Sequence, residues 1–356
     1  MSKIEKERIE MVQKTKNRLI LGVIFCCFLW MVFFNMNPAA AEIMPPDYNH
    51  GLGPLDYRSS SPGQSIRLSM LILGPASIKP GWGVKLIAGT NNVWLNENDY
   101  LFDYELFDGH LSVTYGFNDY FGIIGFIDHR YYWGGIMDGF IESAHNLLNI
   151  DQNGRDEWSK NKTCFILKDS NGEVLYSSDS INRDFQNTGI GIGFNHILTN
   201  GNQQWLPAVS FGGIVRYGID GPQNSEKPLD FGLQIGLSKR LADNWLIYGH
   251  VGYERYNQNE FMMGDVGQTF KSGAFSGLIS ISWNLRPNFP IYLQYNVHEG
   301  VIKNLGSFGD PVHELNIGFK WQLNNTSVFQ FGLVENVVSM HNSNDFGLLF
   351  GYSINI

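Results

Sequence analysis

The sequence predicts an all-β fold, a closed antiparallel transmembrane β-barrel of about fourteen strands, or twelve if two early runs are not membrane strands. Three observations lead there. Of the 356 residues only 17% are charged, while 14% are aromatic and 40 are glycine; a soluble enzyme usually carries about a quarter charged residues. From Ser65 onward apolar residues alternate with small or polar ones, the period of two that puts successive side chains on opposite faces of a sheet. The last run sets Phe346, Leu348, Phe350, Tyr352, Ile354 and Ile356 against Gly347, Leu349, Gly351, Ser353 and Asn355. An apolar edge left open invites aggregation, so this run is expected to close onto the first strand.

The elements follow in order. Lys3, Lys6, Arg8, Lys14, Lys16 and Arg18 precede an apolar run from Leu19 to Phe34 and the small residues Ala39-Ala40-Ala41. Residues 1–41 are therefore expected to be a signal peptide, the apolar run being short for a span of about 20 residues. Cys26 and Cys27 leave with it, and a lone Cys164 gives neither an internal disulfide nor a multi-cysteine metal site. Residues 42–64, rich in Pro, Gly and Ser, read as an irregular N-terminal segment, and 65–356 as the barrel.

The barrel runs begin with Ile66, Leu68, Met70 and Ile72, then Trp82 to Ala88. Tyr100 to Leu106 and Leu111 to Phe117 are expected to form a hairpin about Asp108-Gly109. Further runs cover Tyr120–His129, Ile190–His196, Val209–Tyr217, Phe231–Leu237, Trp245–Tyr253, Phe275–Trp283, Ile291–Val297, Leu315–Trp321 and Phe329–Val337. Short connections (118–119, 241–244, 286–289, 324–327) alternate with long ones (130–186, 218–228, 256–270, 300–311). Outer-membrane barrels show this sidedness, with short periplasmic turns and long external loops. The implied location is the outer membrane of a Gram-negative bacterium. An acidic balance of −9 argues against a nucleic-acid partner.

With the bulky set facing lipid, Arg67, Lys85, Asp103, Glu105, Arg216, Gln234, His250, Glu254, Gln294, His298 and Lys320 are expected to line the lumen. A Lys or Arg facing lipid at the midplane would cost about 2–4 kcal/mol, which enforces the partition. Many inward positions are glycine and leave room for a water path or for a segment folded into the lumen. A mixed-sign lumen suits a pore that orients dipolar solutes; the alternative is that the charges pair with one another and fill a closed barrel. Glu335 breaks the alternation, since its register points it at lipid.

The insert 134–180 is expected to stand outside and to carry a short amphipathic helix, Asp138 to Asn149, and a hairpin about Asn171-Gly172. Asp138, Glu142 and His145 share one helix face and, with Arg155, are candidate ligands for a cation or polar molecule. A Glu-x-x-His alone falls short of the three protein ligands zinc takes, and a solvated or salt-bridging helix face is the commoner role. Nucleophilic chemistry needs a serine and a histidine within hydrogen-bond reach. His196 points outward and Ser210 inward, which does not suggest such a pair.

Two stretches resemble an uncharacterised group of Gram-negative outer-membrane proteins, catalogued as domain of unknown function 3187. One is Gly53-Pro54-Leu55 with Arg58 and Pro62. The other is Gly134-Gly135-Ile136-Met137-Asp138-Gly139-Phe140-Ile141-Glu142, followed by His145, Gly154 and Arg155. The resemblance implies one barrel over nearly the whole mature chain and names no activity or site residues. The resulting expectation is a passive pore or binding channel for small solutes, with no covalent chemistry, no cofactor and no metal. Expected partners are outer-membrane lipid and lipopolysaccharide, the outer-membrane insertion machinery and small solutes. A lipid-modifying barrel enzyme and a structural or interaction barrel are the alternatives.

Overall fold

The computed structural model describes residues 48–69 and 78–356, apart from short stretches at 149–151, 170, 179–185, 202–204, 222–227, 258–259, 264–265, 304, 337 and 339–340. The expected signal peptide lies outside the described residues. Among the described residues no helix is long and apolar enough to cross a membrane.

The wall begins with β1 (Gly81–Asn96), β2 (Tyr100–Gly116) and β3 (Phe121–Trp133). After the insert, which carries the hairpin β4 (Cys164–Lys168) and β5 (Val174–Ser178), come β6 (Asn187–Thr199), β7 (Ala208–Asp220), β8 (Leu229–Ala242) and β9 (Trp245–Tyr256). A loop holds β10 (Glu260–Met263) and β11 (Val266–Phe270). The wall resumes with β12 (Gly273–Arg286) and β13 (Phe289–His298), a second loop holds β14 (Ile302–Lys303), and β15 (Val312–Gln322), β16 (Ser327–Asn336) and β17 (Phe346–Asn355) complete it. Among the described residues twelve antiparallel strands close, in the order β1-β17-β16-β15-β13-β12-β9-β8-β7-β6-β3-β2 with β2 pairing β1. The β4–β5 hairpin extends the sheet from the far end of β2, and β10, β11 and β14 form a separate small sheet.

The closing seam pairs Gly83 with Asn355 through to Asn92 with Phe346, as the alternation of the last run requires. Closure satisfies every edge, the condition a sheet must meet in hydrocarbon. The C-terminus and the turns after β2, β6, β8, β12 and β15 gather at one end, the turn end. The insert and the loops after β7, β9, β13 and β16 gather at the other, the loop end. β8 shows the partition clearly: Phe231, Leu233 and Ile235 are exposed outside, while Asp230, Gln234 and Ser238 are buried inside. A ring of aromatics marks the turn end, with Trp245 stacked on Trp283 at 6.1 Å and Phe289 on Phe319 at 4.9 Å. Such girdles sit where a membrane meets water.

Two early runs are not separate wall strands, which is why the wall has twelve strands and not fourteen. Ile66 ends a short helix, Pro62–Ile66, and Leu68 is buried beyond it; Met70 and Ile72 lie outside the described residues. The wall therefore starts at Gly81 and not at Ser65. The expected hairpin about Asp108-Gly109 does not exist either: β2 runs unbroken through both residues, which pair with Gly89 and Ala88 on one side and with Arg130 and His129 on the other.

That continuity reverses one assignment. Leu111 and Val113 face lipid, so on a single strand Phe102, Tyr104 and Leu106 must face inward. Asp103 and Glu105 then lie on the outer face near the loop end and do not line the lumen. The inner set is buried in an apolar cluster with Ile66 and Leu68 and with Phe270, Ile302 and Phe308 of the loops, which closes the loop end from within.

Candidate functional site: a plugged lumen and a polar rim

Residues 48–69 fill the lumen. Their Pro, Gly and Ser content gives little regular structure, so their backbone polar groups need partners from the wall. Near the turn end Asn49 donates to the Gly201 and Leu206 carbonyls, and Tyr248 Oη donates to the His50 carbonyl at 3.1 Å. Higher up, Gln294 takes both backbone groups of Leu55 (Leu55 N to Oε1 2.9 Å, Nε2 to O 3.2 Å), and Gln330 does the same for Asp56. Asn187 donates to the Ser65 and Ile66 carbonyls, both at 2.8 Å. Wall amides thus stand in for missing strand neighbours.

Ion pairs hold the same segment. Asp56 accepts from Lys85 at 2.6 Å and from Lys320 at 3.0 Å. Burial alone would raise the Asp56 carboxyl, but Lys320 and Lys85 outweigh it and hold it well below the ordinary carboxylate range. Tyr57 donates to Glu314 at 2.8 Å, and burial together with that carboxylate pushes its phenol well above the usual value. Arg58 pairs with Asp108 and, at 3.3 Å, with Asp128. Arg67 is clamped by Asp230, whose other oxygen accepts from Leu68 N at 3.0 Å. Its guanidinium also stacks over Tyr256 at 4.7 Å and Phe270 at 5.0 Å.

Of the residues expected in the lumen, Lys85, Arg216, Gln234, His250, Glu254, Gln294, His298 and Lys320 are on inward-facing wall positions. Arg67 is inside as well, on the plug rather than on a strand. The structure brings Lys85, Gln294 and Lys320 onto the plug. Arg216 pairs with Asp128 at 2.7 Å, Glu254 accepts from Ser276 at 2.9 Å, and His298 stands 4.0 Å from Glu314. Asp108, Asp128, Arg130, Asp230 and Glu314 were missed. Asp108 belongs to a pair with the composition of a turn, which hides it, whereas Asp128 and Arg130 alternate with Ile127 and Tyr131 and are legible by period two.

The insert stands outside, on the wall. Its helix, Asp138–Leu148, starts where Glu105 accepts hydrogen bonds from the backbone N–H groups of Ile136 (2.7 Å) and Met137. Gly135 precedes it at φ +77°, where a Cβ would collide with the Glu105 carboxylate. Asp138 accepts from Asn92 Nδ2 at 2.9 Å and from Asn161 N at 2.6 Å, and Glu142 pairs with Lys160. Arg155 reaches Asn92 Oδ1 at 2.5 Å and Asp345 at 3.0 Å. The expected ligand face of Asp138, Glu142 and His145 is thus buried against the wall and not solvated, while Ile136, Phe140 and Leu147 are exposed. Phe140 lies 5.7 Å from Phe346 of β17, which fixes the helix to the outer surface of the seam. Glu335, out of step on β16, falls beneath this cover.

The family model described as "Protein of unknown function (DUF3187)" matches residues 39–356. The chain belongs to that family. No curated protein matches its sequence. Among solved structures it is similar to the NanC porin, at 7% identity and a TM-score of 0.43 over 77% of this chain and 100% of that one. It is also similar to the translocator domain of the autotransporter NalP from Neisseria meningitidis (10% identity, TM-score 0.43, 78% and 89% covered). A third is the transport unit of the autotransporter AIDA-I from Escherichia coli (11%, 0.42, 78% and 91%).

Proposed function

We propose that this DUF3187 barrel is a gated outer-membrane channel for small polar solutes, closed by its own N-terminal segment and opened when residues 48–69 leave the lumen. The observation that supports this reading is a plug fastened to the wall mainly by side chains. Three separate groups of ion pairs, at Asp56, Arg58 and Arg67, hold a segment that shares no strand ladder with the barrel. Such contacts exchange readily for water and counter-ions once the segment moves, whereas a sheet edge does not.

The wall supports the same reading. Both ring nitrogens of His250, both amide atoms of Asn316 and the Ser280 hydroxyl are buried without a hydrogen-bond partner. Left dry, each such group costs about 1–3 kcal/mol. A barrel closed permanently would be more stable with apolar groups at these positions, while an open one would hydrate them.

In this reading the outer surface contacts outer-membrane lipid and lipopolysaccharide, the insertion machinery assembles the barrel, and the mixed charges left on the wall orient dipolar solutes. No covalent step is assigned: His196 is exposed near a turn, its Nδ1 3.1 Å from the Tyr120 carbonyl, and Ser210 on the adjoining strand is buried inside. The test is conductance of pure, heat-modifiable protein in planar bilayers. We expect a mostly silent wild-type chain with stepwise openings that become frequent when Arg58 or Arg67 is replaced by Met. Silence in all three would overturn the channel.

A further inference from the structure

The interface between the insert helix and the wall is polar on a surface that faces lipid. Asn92 and Trp94 of β1, Asp103 and Glu105 of β2, and Glu335 of β16 all lie on outward positions near the loop end, where exposed side chains lower on the same strands are Leu86, Leu111 and Leu333. The helix covers them with Asp138, Glu142 and His145 and leaves Leu147, most of Phe140 and the preceding Ile136 exposed. This inversion suits a helix resting in the outer leaflet, with its apolar side toward acyl chains. It also gathers charge beneath the helix. Asp103, Glu105, Asp138, Glu142, Glu335 and Asp345 face only two cations, Arg155 and Lys160, among the described residues here. Buried charge of one sign is expensive unless a counter-charge is supplied.

One ring nitrogen of His145 and one carboxylate oxygen each of Glu335 and Asp345 lie within 4.8 Å of one another. His145 is 7% exposed, and its Nδ1 is buried with no hydrogen-bond partner. We infer that His145, Glu335 and Asp345 form a divalent-cation site of the zinc class, which clasps the surface helix to the rim of the barrel between β16 and β17. A neutral imidazole with two carboxylates is a donor set zinc accepts, a fourth position being left for water. Ligand bonds of about 2.0–2.2 Å require the three atoms to draw together by roughly 1 Å, within the reach of side-chain rotation. Arg155 shares Asp345 with the site and is its competitor; Asp345 has a second oxygen to offer.

The site is independent of the channel reading, because it lies on the outer surface. The test uses the folded full-length mature barrel in detergent, stripped with a chelator and titrated with Zn²⁺ against a chromophoric competitor. One equivalent is expected to bind. His145→Ala and Glu335→Gln should each weaken binding by more than about a hundredfold, beyond the ten- to hundredfold that loss of an outer-sphere partner costs. His196→Ala, at the other end of the barrel, should leave it unchanged. Arg155→Met should tighten it by releasing Asp345, and Zn²⁺ should slow proteolytic cleavage of the insert. The inference is overturned if the heat-modifiable wild-type barrel takes up no Zn²⁺. It is equally overturned if binding survives both His145→Ala and Glu335→Gln, or if Arg155→Met weakens it.

Discussion

Replacing Arg67 by Met is the sharpest probe of the plug. Both Arg67 and Asp230 side chains are fully buried, and once the guanidinium is gone Asp230 is left with the hydrogen bond from the Leu68 amide. Breaking a buried pair from one side costs about 3–5 kcal/mol, because the remaining charge has no compensation. The cation–π contacts with Tyr256 and Phe270 add to the loss. Arg216, already engaged by Asp128 at 2.7 Å, is close enough to interact with Asp230 and offsets part of it, which favours the lower end. About 3 kcal/mol, at 1.4 kcal/mol per tenfold, raises the population with an undocked plug by roughly two orders of magnitude. The assay pairs bilayer conductance with maleimide labelling of Ser61→Cys in a Cys164→Ser background, Ser61 being fully buried in the docked plug. Labelling should accelerate roughly a hundredfold and openings should rise in parallel. The double variant Arg67→Met with Asp230→Asn should recover much of the docking, since no bare charge remains. Unchanged labelling in a folded single variant would refute the argument about the plug. Fast labelling without conductance would spare it and sink the channel.

Other outcomes follow from the same contacts. Gly135→Ala should loosen the insert by more than about 1 kcal/mol, the scale of left-handed backbone strain, seen as faster protease cleavage within the insert with the barrel still heat-modifiable. Because the Asp56 carboxyl is depressed in the docked plug, its contribution is fully present above the ordinary carboxylate pKa of about 4 and is lost only as the pH falls well below it. Ser61→Cys labelling, taken relative to the urea-unfolded chain at the same pH because the thiolate fraction falls in acid, should therefore be faster in Asp56→Asn than with Asp56 intact down to about pH 4, the two converging in stronger acid; convergence already between pH 7 and 5 would contradict the Asp56 clamp. Leu233→Arg on the lipid face should lower stability by about 2–4 kcal/mol in urea titrations. Leu175→Arg on the exposed β4–β5 hairpin should stay within about 0.5 kcal/mol.

The alternation of Phe231, Leu233 and Ile235 with Gly232, Gln234 and Gly236 is enough to set the faces of β8, and the same reasoning carries most of the wall and the seam at β17. Period two is a local property that each strand enforces alone, because lipid penalises every misplaced charge. The helix from Asp138 was legible for the same local reason, at period 3.6. Parity across a long strand was not legible. Asp108-Gly109 has the composition of a tight turn, and only pairing with β1 and β3 on both sides keeps β2 straight through it. One misplaced turn sent Asp103 and Glu105 to the wrong face.

What the sequence determined by itself is therefore a barrel with a defined lipid face and a defined sidedness of loops, because burial against lipid acts residue by residue. Tertiary structure alone decided that Arg58 and Arg67 meet Asp108 and Asp230, 50 and 163 residues away, and so that the lumen is filled. It likewise decided that His145, Glu335 and Asp345 meet beneath one helix. Those partners come together through loop closure and charge pairing over long separations, and no periodicity in the chain records which carboxylate will face which arginine.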